Sequence, residues 1–148
     1  MRLLGAALPG LEIEHVGSTA VPGCDGKGIL DLMLVIPEGH MGAVCATVDG
    51  LGFQPQSGGR QHPDTRPMRE GSVTFEGSVF RLHAHLIPES SAEVGRLRMF
   101  RDRLAADPGL VARYIEQKRR LIDAQVSDRA TYTLGKVAFI QSVLGLER

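Results

Sequence analysis

Three observations in the sequence predict a mixed α/β (α+β) domain, a small mixed β-sheet with flanking helices and a helical C-terminal part. Short apolar runs of strand length occupy Leu11 to Val16, Ile29 to Ile36 and Val79 to Ile87. Between the second and third lies a stretch of helical spacing, Met41, Val44, Cys45, Val48 and Leu51. After them the apolar residues recur at helical spacing to the end of the chain. Strands broken by one helix and followed by a helical run make a mixed layer architecture. No composition shift or repeat marks a boundary, so residues 1–148 are read as one domain.

The elements follow in order. Leu11 to Val16 is the first strand, closed by Gly17-Ser18 and a glycine-rich loop. Ile29 to Ile36 is the second, stopped by Pro37, with a helix starting near Glu38 and ending around Gly50 and Gly52. Phe53 to Gln56 reads as a third short strand. Ser57 to Met68 is a polar loop, long enough to be functional rather than a plain connection. Val73 to Phe75 and Val79 to Ile87 form strands around a hairpin turn at Glu76-Gly77-Ser78. Ala92 to Ala106 places Val94, Leu97, Phe100 and Leu104 on one helix face. Asp107-Pro108 starts the next helix, with a capping carboxylate and proline at its first position. Along it Leu110, Val111, Tyr114, Ile115, Lys118, Leu121 and Ile122 keep helical spacing. A final helix from about Thr131 aligns Val137, Ile140, Gln141 and Leu144.

Charge excludes some function classes. The chain has 17 basic and 17 acidic residues and no formal net charge, so bulk electrostatics gives no reason to expect a nucleic-acid or membrane partner. No apolar run approaches the ~20 residues of a membrane span. The start, Met1 to Pro9, is too short for a secretory leader and is broken by Pro9, which predicts a cytoplasmic protein. Cys24 and Cys45 have no metal-ligand spacing and read as free thiols, Cys45 on a helix core face.

Two strands carry groups that a buried strand does not need. Asp31 lies inside Ile29 to Ile36, where an unpaired charge is costly. Either it accepts hydrogen bonds from the loop before it or it holds a hard metal ion such as Mg²⁺. In Val79 to Ile87, Phe80, Leu82, Ala84 and Leu86 share one face while Arg81, His83 and His85 share the other. Two histidines at i and i+2 point the same way. That suits joint metal binding, phosphate contact or proton transfer, and equally a solvated sheet face. The turn at Gly17, Ser18 and Thr19 offers backbone N–H groups to a phosphate, with Lys27 within reach of the same loop. Neighbours on a strand face opposite sides, so Glu14 and His15 are not expected to act as a pair. Arg96, Arg98, Arg101 and Arg103 crowd one helix, an arrangement that is usually a solvated face; Arg101 stands apart because Asp102 beside it is placed to pair with a neighbouring helix. Lys136 is the last basic candidate for phosphate.

The run Glu14-His15-Val16-Gly17-Ser18-Thr19-Ala20-Val21-Pro22-Gly23 resembles the signature of the GrpB family, an uncharacterised group in the nucleotidyltransferase superfamily. The resemblance continues in Lys27-Gly28-Ile29-Leu30-Asp31-Leu32, in His83-Ala84-His85-Leu86-Ile87 and in Phe100-Arg101-Asp102-Arg103-Leu104. It extends to Tyr114 with Lys118 and to Tyr132-Thr133 with Lys136, Phe139 and Ile140. It implies a nucleotidyltransferase-like fold. In that superfamily the Gly-Ser turn holds a triphosphate, and carboxylates on the next strand hold two metal ions that activate the attacking oxygen and stabilise the leaving pyrophosphate. Gly17 and Ser18 match the turn, and Asp31 matches the first carboxylate.

The chain departs from that pattern in three places. Met33 stands where active members carry a second acidic residue, and a thioether is no substitute for a hard oxygen ligand. The strand expected to supply a third carboxylate carries His83 and His85. The family also implies a longer helical start than the ten or so residues before the first strand here.

The resemblance therefore implies a protein that binds a nucleoside triphosphate or a coenzyme-A-related phosphorylated molecule. Gly17, Ser18, Thr19, Lys27, Arg81, Arg101 and Lys136 would meet phosphate, and Asp31, His83 and His85 would hold a divalent metal, Mg or Mn or alternatively Zn. As an enzyme it would transfer a nucleotidyl group, with Asp31 as the catalytic carboxylate. The alternatives are a non-catalytic nucleotide-binding or regulatory module, and a metal-dependent hydrolase built on Asp31, His83 and His85.

Overall fold

The computed structural model describes residues 2–21, 29–55, 63, 65–123 and 144. Its strands are β1 (Glu12–Val16), β2 (Ile29–Ile36), β3 (Gln54–Pro55), β4 (Met68–Phe75) and β5 (Ser78–Pro88). They form a five-stranded sheet in the order β1-β2-β5-β4-β3. β2 and β5 run parallel and the other neighbours run antiparallel. The helices are α1 (Arg2–Ala7), α2 (Met41–Gly50), α3 (Ala92–Ala106) and α4 (Pro108–Asp123), with a 3₁₀ turn at Ser18–Ala20. The mixed α/β architecture expected from the sequence is therefore observed.

Alternation divides the sheet into two faces of different chemistry. On one face Leu32, Leu34 and Ile36 of β2 and Leu82, Ala84 and Leu86 of β5 pack against Leu4, Val44, Val48 and Phe53. Val44 and Val48 lie one turn apart on α2, and Met41, Cys45 and Leu51 flank them, as the helical spacing predicts. On the other face Val16, Met33, Val35 and Ile87 are buried under Val94 and Leu97 of α3. That cover extends over only part of the face. A third cluster, Val21, Phe100, Leu104 and Tyr114, joins α3 to α4, with Leu144 packed on it and the Phe100 and Tyr114 rings edge to face at 6.0 Å. Burying one side chain of the size of Leu104 stabilises by about 1.5–3 kcal/mol.

Local signals set the helix starts. Ser91 Oγ accepts from the Glu93 N–H at 3.3 Å, and Asp107 Oδ1 accepts from the Leu110 N–H at 3.1 Å. Each satisfies a donor that the first turn leaves without an intrahelical partner.

Three sequence expectations are corrected, and one helix that the sequence reading did not assign, α1, is added. The helix expected near Glu38 starts at Met41, because Pro37 to His40 form a turn in which the His40 N–H donates to the Pro37 carbonyl at 3.1 Å. The third strand is Gln54–Pro55, with Phe53 turned into the core ahead of it. The N-terminal apolar patch forms α1 and buries Leu4. The strand expected over Val73 to Phe75 is eight residues long, starting at Met68. β5 beside it is 11 residues long and offers backbone partners to every residue of β4. Met68, expected at the end of the polar loop, and the unassigned stretch Arg69 to Ser72 are drawn into the ladder. The hairpin turn lies at Glu76–Gly77, both at positive φ (49° and 80°), a geometry that matches the twist of the strands. The final helix expected from about Thr131 falls outside the described residues except for Leu144.

Candidate functional site

Register places the polar groups together. In the parallel pair Asp31 lies opposite His83 and Met33 opposite His85. All four side chains therefore share the face that α3 covers in part. Nearer the middle of β2 that face is apolar and closed. At the end where β2 starts, Asp31, His83 and His85 stand half-buried.

Asp31 Oδ1 is the common point. It lies 3.2 Å from His85 Nε2 and 3.7 Å from His83 Nδ1. One ligand atom from each of the three residues lies within 4.8 Å of the other two. Ligands about 2.1 Å from an ion stand roughly 3.0 Å apart at a right angle and about 3.4 Å apart at the tetrahedral angle. The two separations from Asp31, 3.2 and 3.7 Å, bracket the tetrahedral value, and the two imidazole nitrogens lie within 4.8 Å of each other. Two imidazoles and one carboxylate form a donor set suited to a borderline ion such as zinc, iron or manganese, with coordination positions left for water or an oxygen ligand. Burial pushes the His83 pKa down, against the nearby Asp31 charge, and so favours the neutral imidazole that a metal requires.

The Gly-Ser turn borders the carboxylate. β1 ends with Val16 opposite Asp31, and Gly17 follows at φ 75° and ψ −174°, a conformation nearly exclusive to glycine. A Cβ at Gly17 would lie 3.0 Å from Asp31 Oδ2. One oxygen of Asp31 thus faces the imidazoles and the other faces the turn. Ser18 and Thr19 continue the turn as a 3₁₀ segment. The Thr19 hydroxyl is hydrogen-bonded to His15 Nε2 at 2.9 Å. Burial pushes the His15 pKa down as well.

Glu14 and His15 do lie on opposite faces, opposite Met33 and Leu32 respectively. Glu14 faces α3, where Arg98 Nε donates to Oε1 at 2.8 Å and Arg101 Nη1 donates to Oε2 at 2.9 Å. Those bonds, Arg98 first, hold the Glu14 carboxyl below the usual carboxylate range. Arg98 also pairs with Glu12. The arginine-rich helix is thus not simply a solvated face: two of its cations clasp β1. Arg101 Nη1 reaches the His15 carbonyl at 3.2 Å as well, two residues before the Gly-Ser turn. Asp102 pairs with Arg101 of its own helix at 2.9 Å, not with a neighbouring helix as its setting suggests.

Of the residues named from the sequence, Gly17, Asp31, His83 and His85 come together. Arg81 lies opposite Ile29 on the same face, exposed at the rim. Lys27 and Lys136 fall outside the described residues, as does Cys24. Cys45 is half-buried and burial pushes its thiol pKa up, which keeps it protonated.

Sequence reading missed Glu70. It lies on β4 directly opposite His83, with Oε1 3.7 Å from His83 Nε2. Counting outward from the two-residue turn at Glu76–Gly77 pairs it with His83, a signal that was in the chain. Met33 is fully buried beneath α3, so the position where a second carboxylate is expected belongs to the core.

No helix among the described residues is long and apolar enough to cross a membrane. Residues 1–145 match the family described as GrpB protein. A UPF0157 protein of Pseudomonas aeruginosa is 41% identical over 142 residues, covering 94% of this chain and 56% of the relative. A UPF0157 protein of Vibrio cholerae is 30% identical over 142 residues, covering 96% of this chain and 70% of the relative. The chain thus spans little more than half the length of the first of these relatives. The crystal structure of the conserved protein GrpB from Enterococcus faecalis superposes with a TM-score of 0.72 at 22% identity, over 96% of this chain and 84% of that one, a likeness of fold. With the match running through the Gly-Ser turn, Asp31 and the His-x-His strand, the chain belongs to the GrpB family.

Proposed function

We propose that this chain binds one divalent metal ion at Asp31, His83 and His85, and with it a phosphorylated small molecule of the nucleoside triphosphate or coenzyme A class. The observation that carries the reading is the convergence of three ligand atoms within 4.8 Å at the open end of the sheet face. Gly17 brings a glycine turn against the same carboxylate, and Arg81 adds a cation at the rim on the same face. A phosphate held at this site would have the glycine turn and the Arg81 cation on the same sheet face. The donor set fits a single borderline ion better than a pair of Mg²⁺ ions, because Met33 supplies no oxygen and is closed under α3.

When bound, the ion supplies Lewis acidity toward a phosphoryl oxygen or a water molecule. Asp31 and the two imidazoles would hold it, with the Gly17 turn set against the second oxygen of the same carboxylate. As an enzyme, the chain would transfer a nucleotidyl group from a nucleoside triphosphate to an acceptor oxygen, with pyrophosphate as the leaving group. The two histidines favour a second reading, hydrolysis with a metal-activated water in place of that acceptor.

A thermal-shift screen of nucleotides and coenzyme A precursors, each with Mg²⁺, Mn²⁺ or Zn²⁺, tests the proposal. A ligand present at 100 times its Kd stabilises by about 2.7 kcal/mol, a readily measured rise in Tm. The expected result is a rise that needs metal and ligand together and disappears in Asp31→Ala. A flat response across the set overturns the reading.

A further inference from the structure

We propose that Glu70 is a positioning residue, which fixes His83 in the tautomer that presents Nδ1 to the metal while His85 presents Nε2. This inference rests on the metal-site reading above and names the group that makes the site selective in geometry.

His83 stands between two carboxylates. The register sets it opposite Asp31 of β2 on one side and opposite Glu70 of β4 on the other. Its two ring nitrogens divide between them, Nδ1 at 3.7 Å from Asp31 Oδ1 and Nε2 at 3.7 Å from Glu70 Oε1. His85 is turned the other way, with Nε2 at 3.2 Å from the same Asp31 oxygen. The residue opposite His85 on β4 is Met68, which is buried and offers no carboxylate. The neighbours of the two imidazoles on β4 therefore differ, a carboxylate opposite His83 and a thioether opposite His85.

A neutral imidazole has one N–H and one lone pair. A metal takes the lone pair, so Nδ1 of His83 must be bare and Nε2 must carry the proton. An ionised Glu70 only accepts hydrogen bonds, and it faces the nitrogen that must donate. A separation of 3.7 Å exceeds hydrogen-bond length, and a side-chain adjustment of about 1 Å closes it; the Glu70 side chain is 25% exposed. Among the described residues the converging ligand group consists of Asp31, His83 and His85, so Glu70 acts from behind the histidine and not on the ion. Carboxylates that orient a ligating histidine in this way typically change metal affinity by about 10–100-fold.

The test titrates Co²⁺ and Zn²⁺ into the full chain, its Glu70→Ala and Glu70→Gln variants, and Asp31→Ala. Folding of each is checked by circular dichroism. In metal-free wild type, ¹⁵N imidazole shifts are expected to show His83 as the Nε2–H tautomer. Glu70→Ala is expected to mix the two tautomers, weaken both metals by about 10–100-fold and alter the visible Co²⁺ spectrum. Glu70→Gln keeps an acceptor oxygen and is expected to restore the tautomer and most of the affinity. A His83 Nδ1–H tautomer in wild type overturns the inference and leaves the metal site standing. So does Glu70→Ala affinity within about twofold of wild type while Asp31→Ala abolishes binding. Wild type that binds neither metal, or Asp31→Ala that binds as wild type does, overturns the metal site and this inference with it.

Discussion

Replacing Gly17 with alanine is expected to destabilise the fold and disturb the site together, for two separable reasons. The backbone there sits at φ 75° and ψ −174°, and holding an L-residue in such a region costs about 1–3 kcal/mol. The new Cβ would lie 3.0 Å from Asp31 Oδ2 and 3.4 Å from Asp31 Cβ. Asp31 belongs to β2, which is held by ladders on both sides, so the carboxylate must rotate and not the strand. Small overpacking of this kind costs about 1–3 kcal/mol. The sum is about 2–6 kcal/mol in a domain whose whole stability is of order 5–15. With a urea slope of about 2 kcal/mol per molar, the midpoint drops by roughly 1–3 M. Rotation of the carboxylate also takes Oδ1 away from the imidazoles, so metal affinity falls in the same variant. A urea midpoint within about 0.3 M of wild type, with metal binding unchanged, would refute the proposed contact between turn and carboxylate.

Other perturbations have equally definite outcomes. At Gly71, on the core face of β4, a Cβ would lie 2.6 Å from the Phe53 ring, so Gly71→Ala is expected to lose about 1–3 kcal/mol in urea unfolding. The double variant with Phe53→Leu recovers part of that loss; a simple sum of the two single effects would argue against the contact. Leu104→Ala opens the cluster between α3 and α4 and is expected to cost about 2–5 kcal/mol, read as a lower Tm. Glu14 gives a signed pH effect. Its carboxyl is held below its ordinary value, so its contribution to stability is complete at neutral pH, where both states are ionised. It is lost as pH falls through the unfolded value of about 4.3 toward the lower folded one. Glu14→Gln is expected to flatten the acid limb of the stability curve relative to wild type, and parallel curves would show that the clasp with Arg98 and Arg101 contributes nothing.

Legibility varied with the kind of signal. β2 was readable as an almost unbroken apolar run buried on both faces, β5 by its period-two alternation and α3 by its helical spacing. The same alternation separated Arg81, His83 and His85 from the core face of β5. β4 was only half legible. Its site-facing residues, Glu70 and Ser72, are polar, and its core-facing residues include Gly71, which reads as a breaker but is required by the close approach of the Phe53 ring. Glu70 was lost with it. The short α1 carries too little spacing to announce itself, and Leu4 is buried by tertiary packing. The clasp between α3 and β1 was beyond sequence reading for a different reason. Arg98 and Arg101 look like solvated charges until the fold sets them against Glu12 and Glu14 from more than 80 positions away. Met33 was legible as a departure from the family's acidic pattern; its burial under α3 supplies the physical reason.

The central claim is that Asp31, His83 and His85 together hold a divalent ion. Equilibrium dialysis against Zn²⁺, Mn²⁺ and Mg²⁺, followed by elemental analysis of the protein fraction, tests it most directly. The expected result is one ion per chain, with Zn²⁺ or Mn²⁺ retained more strongly than Mg²⁺ and binding lost in both Asp31→Ala and His83→Ala. Retention of no ion by folded wild-type protein, or equal retention by the two variants, would contradict it.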